Sequence, residues 1–312
     1  MNEPVSRRDL LRTAATAAAL ALSGPLAACS RVARVESSDD PLAEDRQRLT
    51  SWAGTLRAER LARADVPVGR AASRVGELAI GTPYVAFTLE QYLKAGGSPT
   101  QTEPLYLSLT RFDCVSLVES CLAIARVADD GGTPTWQRFA REVERMRYRD
   151  GVRQDYASRL HYFSEWITDG ARRGLVRDLG AELGGVADAR PLRFMTEHRS
   201  SYPGLADDES FRAIAAIERS LDAQPRLVVP TNRISEVSDR IQTGDVLAFV
   251  TSIPGLDVSH AAFAYRDAAG ILRVLHAPLS GGSVEVTSAT LPEYVAAIRR
   301  ATGILVARPL RG

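Results

Sequence analysis

Lysine is nearly missing from this chain: Lys94 is the only one, and arginine carries almost all of the positive charge. A bias that complete reads as genomic composition and not as a device for gripping phosphate. An excess of one charge is missing too. Lys and Arg total 39 against 38 Asp and Glu, a formal net charge of +1, so the chain lacks a nucleic-acid footprint and no nucleic-acid partner is expected. No Cys/His cluster has zinc spacing, no glycine-rich loop has the phosphate-binding pattern, and no internal repeat is visible. Neither a metal nor an organic cofactor is called for. Cysteine is scarce, with Cys29, Cys114 and Cys121 alone. No good membrane span stands out either, because the Ala/Leu-rich run from Thr13 to Leu22 is too short and too rich in alanine.

That run belongs to an address. Ser6-Arg7-Arg8-Asp9-Leu10-Leu11 reads as a twin-arginine export signal, and Leu26-Ala27-Ala28-Cys29 resembles a lipoprotein signal-peptidase box. On that reading Cys29 becomes the first mature residue, carries lipid and makes the membrane a partner; stable anchoring takes more than one acyl chain. The alternative is a plain secretory signal cut near Ala28. The polar stretch from Arg31 to Pro41 looks like a tether. The expected division is a signal over 1–28, a tether over 29–41, and one catalytic domain over 42–312 with an insertion at about 129–230. The expected location is the cell envelope, on its periplasmic or extracytoplasmic face, with the choice of inner or outer membrane and the oligomeric state left open.

Cys114 and Cys121 remain in the mature chain. Seven residues apart on a helix, their Cα atoms lie roughly 10 Å from each other, beyond the usual disulfide limit of about 7 Å. Cys121 falls on an apolar stripe with Leu117, Val118, Leu122 and Ala125 and reads as a small buried hydrophobe. Val115 to Ala128 is the clearest helix, with Asp113 as its N-cap and Asp129-Asp130-Gly131-Gly132 as its stop. Leu42 to Ala64, Ala71 to Ile80 and most of Trp136 to Ile167 also have helical patterns, the last broken near Asp150-Gly151. Leu105 to Leu109 alternates like a strand, and Leu175 to Leu227 is weakly patterned. The final third differs. Asp245 to Thr251, Ser259 to Tyr265, Ile271 to Ala277, Ser283 to Thr287 and Ile304 to Arg308 are short and β-rich, with Pro292 to Arg300 a helix. Helices first and an antiparallel sheet second make an α+β arrangement.

Cys114 is the residue with chemistry to explain. It stands where a polar loop turns into the apolar helix, so backbone N–H groups and the helix dipole favour its thiolate. A free thiol has a pKa of about 8.5, and a helix terminus lowers it by around one unit. Going further needs an imidazolium partner, and the chain has His161, His198, His260 and His276 to offer. His260 opens a segment of small residues after the loop Pro254-Gly255-Leu256-Asp257, and His276 ends the next strand. In a hairpin the two histidines face each other when Tyr265 pairs with Ile271 across a five-residue loop, Arg266 to Gly270. An even loop would put them on opposite faces, so the hypothesis requires an odd loop or a bulge. His161 and His198 read as structural. The resulting mechanism is acyl transfer to water: Cys114 attacks an amide carbonyl, His260 takes and returns the proton, and His276 orients His260. The Cys114 N–H is a natural oxyanion donor. Tyr84 either adds a hydroxyl or is a packed aromatic, Asp113 suits a cap better than a catalytic acid, and Ser259 stands beside His260. These three complete the oxyanion and substrate-binding candidates.

Taken together, these residues resemble the AmiA-like family of N-acetylmuramoyl-L-alanine amidase-like proteins, a branch of the NlpC-type, papain-like cell-wall cysteine peptidases. The pieces are Gly81-Thr82-Pro83-Tyr84-Val85, Asp113-Cys114-Val115-Ser116-Leu117-Val118-Glu119, His161-Tyr162-Phe163-Ser164-Glu165-Trp166-Ile167, Gly244-Asp245-Val246, Gly255-Leu256-Asp257-Val258-Ser259-His260, Leu275-His276-Ala277 and the tail from Thr302 to Pro309. The set spans about residues 70 to 310. The resemblance implies a papain-like α+β core, with the nucleophile on a helix packed against the sheet, and hydrolysis of an amide in peptidoglycan. Cys114, His260 and His276 match the family's Cys-His-His positions. Ser116 and Pro278 depart from the Thr and Ser expected there. The bond cut stays open between muramic acid–L-Ala and L-Ala–D-Glu. Two rivals stay open as well: an acyltransferase of the same fold, and a noncatalytic lipoprotein that binds cell wall.

Overall fold

The computed structural model describes residues 40–129, 131–278 and 282–312. The expected signal over 1–28, the expected lipid attachment at Cys29 and the expected tether up to residue 39 lie outside the described residues. The helices are α1 (Ala43–Ala58), α2 (Val68–Leu78), α3 (Gln91–Lys94), α4 (Cys114–Asp129), α5 (Trp136–Arg147), α6 (Phe163–Arg172), α7 (Phe194–Glu197), α8 (Asp208–Leu221), α9 (Ile234–Val237) and α10 (Leu291–Ala297). The strands are β1 (Val176–Asp178), β2 (Val186–Asp188), β3 (Arg226–Pro230), β4 (Val246–Thr251), β5 (Val258–Arg266), β6 (Leu272–His276), β7 (Glu285–Val286) and β8 (Ala301–Pro309). They form one eight-stranded sheet in the order β2-β3-β8-β4-β5-β6-β7, with β1 also on β8, and every ladder is antiparallel. The architecture is α+β.

β4 shows why the sheet is buried on both sides. Each of its residues from Val246 to Thr251 is buried, the mark of a central strand. Val246, Ala248 and Val250 face a core with α1, α2, α4 and α5. Leu247 and Phe249 face a second core with Ile234, Val237, Leu291 and Val295 of α9 and α10. A third cluster, including Tyr156, Tyr162, Phe194 and Ile214, lies around α7 and α8.

α4 is more deeply enclosed than an apolar stripe implies. Everything from Ser116 to Ala128 is buried, so the helix is surrounded and not laid on a surface. Asp113 caps it: its Oδ1 accepts the Ser116 N–H at 2.7 Å, and the Ser116 hydroxyl accepts the Asp113 N–H at 2.9 Å. That is a reciprocal capping box with serine in the place of the usual Glu or Gln. One polar side chain of the helix, Glu119, is enclosed and pairs with Arg147 Nε at 2.8 Å.

Leu105 to Leu109 has no ladder partner among the described residues, although it alternates like a strand. Side chains take its backbone groups instead. Arg147 donates to the Tyr106 carbonyl, Arg48 to the Leu109 carbonyl, and Asp45 accepts the Leu109 N–H. Between residues 175 and 227 the weak pattern resolves into β1, β2, the start of β3, α7 and α8.

The hairpin β5–β6 differs from the expected register. Tyr265 pairs with Arg273, not with Ile271, and the ladder runs from Phe263↔Leu275 to Arg266↔Leu272. The loop is Asp267 to Ile271, where Asp267 accepts the N–H groups of Ala269 and Ile271 at 2.9 Å each and Gly270 takes φ +78°. It is still five residues long. The shift by two keeps the parity, so His260 and His276 share a face as diagonal neighbours.

Candidate active site

Cys114 is the first residue of α4 and is partly exposed. Its loop is stitched to the sheet by backbone bonds. Phe112 N–H donates to the Pro83 carbonyl at 3.1 Å, and Val85 N–H donates to the Phe112 carbonyl at 2.8 Å. The Gly81–Tyr84 segment then bonds the chain leading into β7: Gly81 N–H to the Val284 carbonyl at 2.9 Å, Val284 N–H to the Thr82 carbonyl at 2.8 Å, and Tyr84 N–H to the Gly282 carbonyl at 2.9 Å. β7 pairs with β6, which pairs with β5. A continuous run of backbone contacts thus links the nucleophile candidate to both histidine strands.

The histidines meet directly. His260 Nε2 lies 2.8 Å from His276 Nδ1, with the rings edge-on at 78°. His260 is 5% exposed and His276 1%. A bulge in the β4–β5 ladder re-aims β5 at this point. Phe249 pairs with His260 but Val250 with Val258, leaving Ser259 as the extra residue. The Ser259 hydroxyl turns to the Phe249 carbonyl at 3.5 Å. Burial pushes the His276 imidazole down to about 4. Burial first, and then the His276 ring, push His260 down to about 3. His260 Nδ1 and His276 Nε2 are buried with no hydrogen-bond partner among the described residues. Glu285, opposite His276 on β7, brings Oε1 to 3.6 Å from His276 Nε2.

Tyr294, on α10, escaped the sequence reading. Its hydroxyl lies 3.4 Å from His276 Nδ1, and its ring packs edge-on against His276 at 5.2 Å and tilted against Phe249 at 5.6 Å. Burial pushes its phenol up to about 12, with Glu285 and a thiolate at Cys114 adding to the push. Cys114 therefore stands within electrostatic reach of the group that touches His276. A tyrosine in a short helix carries no motif, so the sequence offered no signal for it.

The remaining candidates divide cleanly. Tyr84 bridges to Phe112 and packs against the main core, and Asp113 is engaged in the α4 cap. His161 is held by the Tyr156 carbonyl at 2.8 Å and by the Tyr156 ring at 4.5 Å; His198 is held by the Phe194 carbonyl at 2.8 Å and the Phe194 ring at 4.1 Å. Both are structural contacts. Asp257 is enclosed just before His260, and its carboxylate accepts the Ser164 N–H at 2.8 Å and the Val258 N–H at 2.7 Å. It thereby caps α6 from outside, since Tyr162 supplies no side-chain cap, and fixes the start of β5. Cys121 is fully buried, and burial pushes its thiol well up.

Comparison with known proteins bears on this geometry. No curated protein matches the chain. Among solved structures, an N-acetylmuramoyl-L-alanine amidase from Bacteroides uniformis is 29% identical with a TM-score of 0.69, covering 78% of this chain and 99% of that one. A Bacteroides fragilis protein provisionally named a xylanase is 34% identical with a TM-score of 0.67, covering 75% of this chain and 98% of that one. Protein LPG0564 from Legionella pneumophila is 17% identical with a TM-score of 0.61, covering 86% of this chain and 95% of that one, and shares the fold. The AmiA-like family model, described as N-acetylmuramoyl-L-alanine amidase-like, matches residues 74–304. The chain belongs to the AmiA-like, N-acetylmuramoyl-L-alanine amidase-like family.

Proposed function

We propose that this protein is a cell-wall cysteine hydrolase with an NlpC-type, papain-like core, cutting an amide bond of peptidoglycan through Cys114, His260 and His276. The observation that carries the reading is the 2.8 Å contact between His260 Nε2 and His276 Nδ1. It leaves His260 Nδ1 buried and unpartnered on a strand tied, through β6, β7 and the Tyr84 loop, to the start of α4. An imidazole oriented by a second group through one nitrogen, with the other available to a nucleophile, is the arrangement of acyl-transfer sites.

Burial disfavours an isolated imidazolium at either ring. A charged His260 is therefore stable only beside a thiolate, and the proton belongs to the Cys114–His260 pair as a unit. Cys114 sulfur attacks the carbonyl carbon, the amine leaves with the proton from His260, and a thioester remains. Water activated by His260 then releases the acid and regenerates the thiol. In this reading the Cys114 N–H at the helix start donates to the developing oxyanion, and Tyr84, whose segment bonds the Phe112 loop, is the candidate second donor. Glycoside cleavage, which the name of one relative suggests, runs on two carboxyl groups flanking the bond. Here two imidazoles and a phenol gather beside a single carboxylate among the described residues, Glu285, and Asp113 is committed to its cap, so amide chemistry fits better.

The N-terminal residues complete the reading: a twin-arginine lipoprotein signal over 1–28, lipid on Cys29, a tether over 29–41 and the catalytic domain over 42–312, in which the stretch at about 129–230 shapes the substrate groove. Incubating the protein with peptidoglycan and weighing the muropeptides tests the activity. New N-terminal L-Ala or free L-Ala–muramoyl ends, absent with Cys114→Ala, support it and identify the bond. Full digestion by Cys114→Ala contradicts it.

A further inference from the structure

We propose that the Tyr294 hydroxyl is a positioning group that fixes the direction of the His260–His276 hydrogen bond, so that His260 keeps its lone pair on Nδ1. The inference rests on the hydrolase reading of this site and adds a fourth side chain to it.

A neutral imidazole has one N–H and one lone pair. The short contact between His260 Nε2 and His276 Nδ1 requires one ring to donate and the other to accept, and two directions exist. If His260 donates, its lone pair sits on Nδ1, His276 accepts at Nδ1, and the His276 proton sits on Nε2. If His276 donates, its own lone pair sits on Nε2 and the His260 proton moves to Nδ1, where it cannot serve as a base.

Two neighbours choose between them. Glu285 Oε1 stands 3.6 Å from His276 Nε2; a proton there faces a carboxylate favourably, whereas a lone pair faces it unfavourably. Tyr294 oxygen stands 3.4 Å from His276 Nδ1; a phenol donates more strongly than it accepts, so it favours a lone pair at Nδ1, which it then shares with the shorter bond from His260 Nε2. The phenol stays protonated, because burial, Glu285 and Cys114 all raise it. Both neighbours therefore favour donation from His260. Glu285 is 55% exposed, so solvent weakens its influence, whereas Tyr294 is held firmly. α10 begins with a capping box between Thr290 and Glu293, and the Tyr294 ring packs against His276 and Phe249 while Phe249 packs against His260. The wall that orients both rings also carries the hydroxyl.

Nitrogen-15 NMR of histidine-labelled protein reads the direction without any substrate. In Cys114→Ala, which removes the thiolate, His260 is expected protonated at Nε2 and bare at Nδ1, with His276 bare at Nδ1. Tyr294→Phe keeps the ring and removes the hydroxyl. It is expected to mix the two tautomers and to lower kcat roughly three- to tenfold, the scale of one neutral hydrogen bond, with KM unchanged. A His276 proton on Nδ1 overturns the proposal, as does Tyr294→Phe with tautomers and kcat both unaltered. If Tyr294→Phe does not fold, Glu285→Gln in the Cys114→Ala background decides: unchanged tautomers support Tyr294 as the group that sets the direction, and mixed tautomers assign it to the carboxylate and overturn the proposal. The expected tautomers in a protein that digests no peptidoglycan uphold the hydrogen-bond direction while removing the hydrolase reading.

Discussion

At the scale of single residues, the site depends on neutral imidazoles kept in place by burial. The acidic limb of kcat/KM should lie below pH 6.5, the ordinary imidazole value, because His260 and His276 are pushed down to about 3 and about 4 and an unpaired positive ring is disfavoured there. A pH–rate profile checks this, and a limb at or above 6.5 contradicts it. Asp113 offers a separate test. Replacing it with Ala removes the Oδ1 bond to the Ser116 N–H, the side-chain half of the α4 cap, and should cost about 1 kcal/mol of stability, read by denaturant unfolding. Much at this scale was legible. A cysteine at a helix start and two histidines on neighbouring β segments are chemically conspicuous, and the unfavoured His161 and His198 prove to be ring-and-carbonyl contacts. Tyr294 was illegible because its role depends on where a helix from the C-terminal part lands on the sheet, which no local pattern records.

At the scale of elements, the hairpin and its bulge align the histidines. Alternation along a strand constrains parity, so the sequence could demand an odd loop without saying which odd register. Asp267 decided that by accepting two loop N–H groups and starting the turn one residue later than expected. Alternation likewise mistook Leu105 to Leu109 for a strand, since side chains from α1 and α5 satisfy its backbone. The family pieces away from the site gain physical explanations here. Gly244, at φ +88°, comes so close to Gly69 that a Cβ would sit 1.9 Å from its carbonyl oxygen. Gly244→Ala should therefore destabilise by several kcal/mol, through both strain and clash. A midpoint of unfolding within error of the parent would refute that close approach.

At the scale of the whole molecule, enclosed charges tie sequence-distant parts together. Asp245, before β4, takes both Arg308 Nε and Nη2 of β8, at 2.8 and 2.7 Å. Arg308→Ala leaves that carboxylate enclosed without its partner and should cost about 3 kcal/mol, measured by urea unfolding. The buried histidines add a pH dependence. Their folded values lie below the ordinary 6.5 (about 3 and about 4 for His260 and His276, and well below it for His161). The unfolded chain therefore takes up protons first as pH falls. Their contribution is fully present above about pH 6.5 and is lost progressively as the pH falls toward 4. Asp257 and Glu119, raised by burial, act in the opposite sense, so the histidine contribution is read as a difference: the stability gap between wild type and His161→Gln should narrow from pH 7 to pH 4.5. The α+β order of the chain was legible at this scale from its change of character after residue 244. The three strands from the weakly patterned middle were not, because they are short, and β1 and β2 expose one edge or face to solvent.

The most direct test of the account is the rate at which iodoacetamide labels Cys114 as a function of pH, with the labelled peptide identified by mass. The account predicts labelling that persists in mildly acidic buffer and disappears there in His260→Ala, because the thiolate exists as half of a pair with His260. A labelling profile that rises only near the free-thiol value of about 8.5, unchanged by His260→Ala, would contradict it.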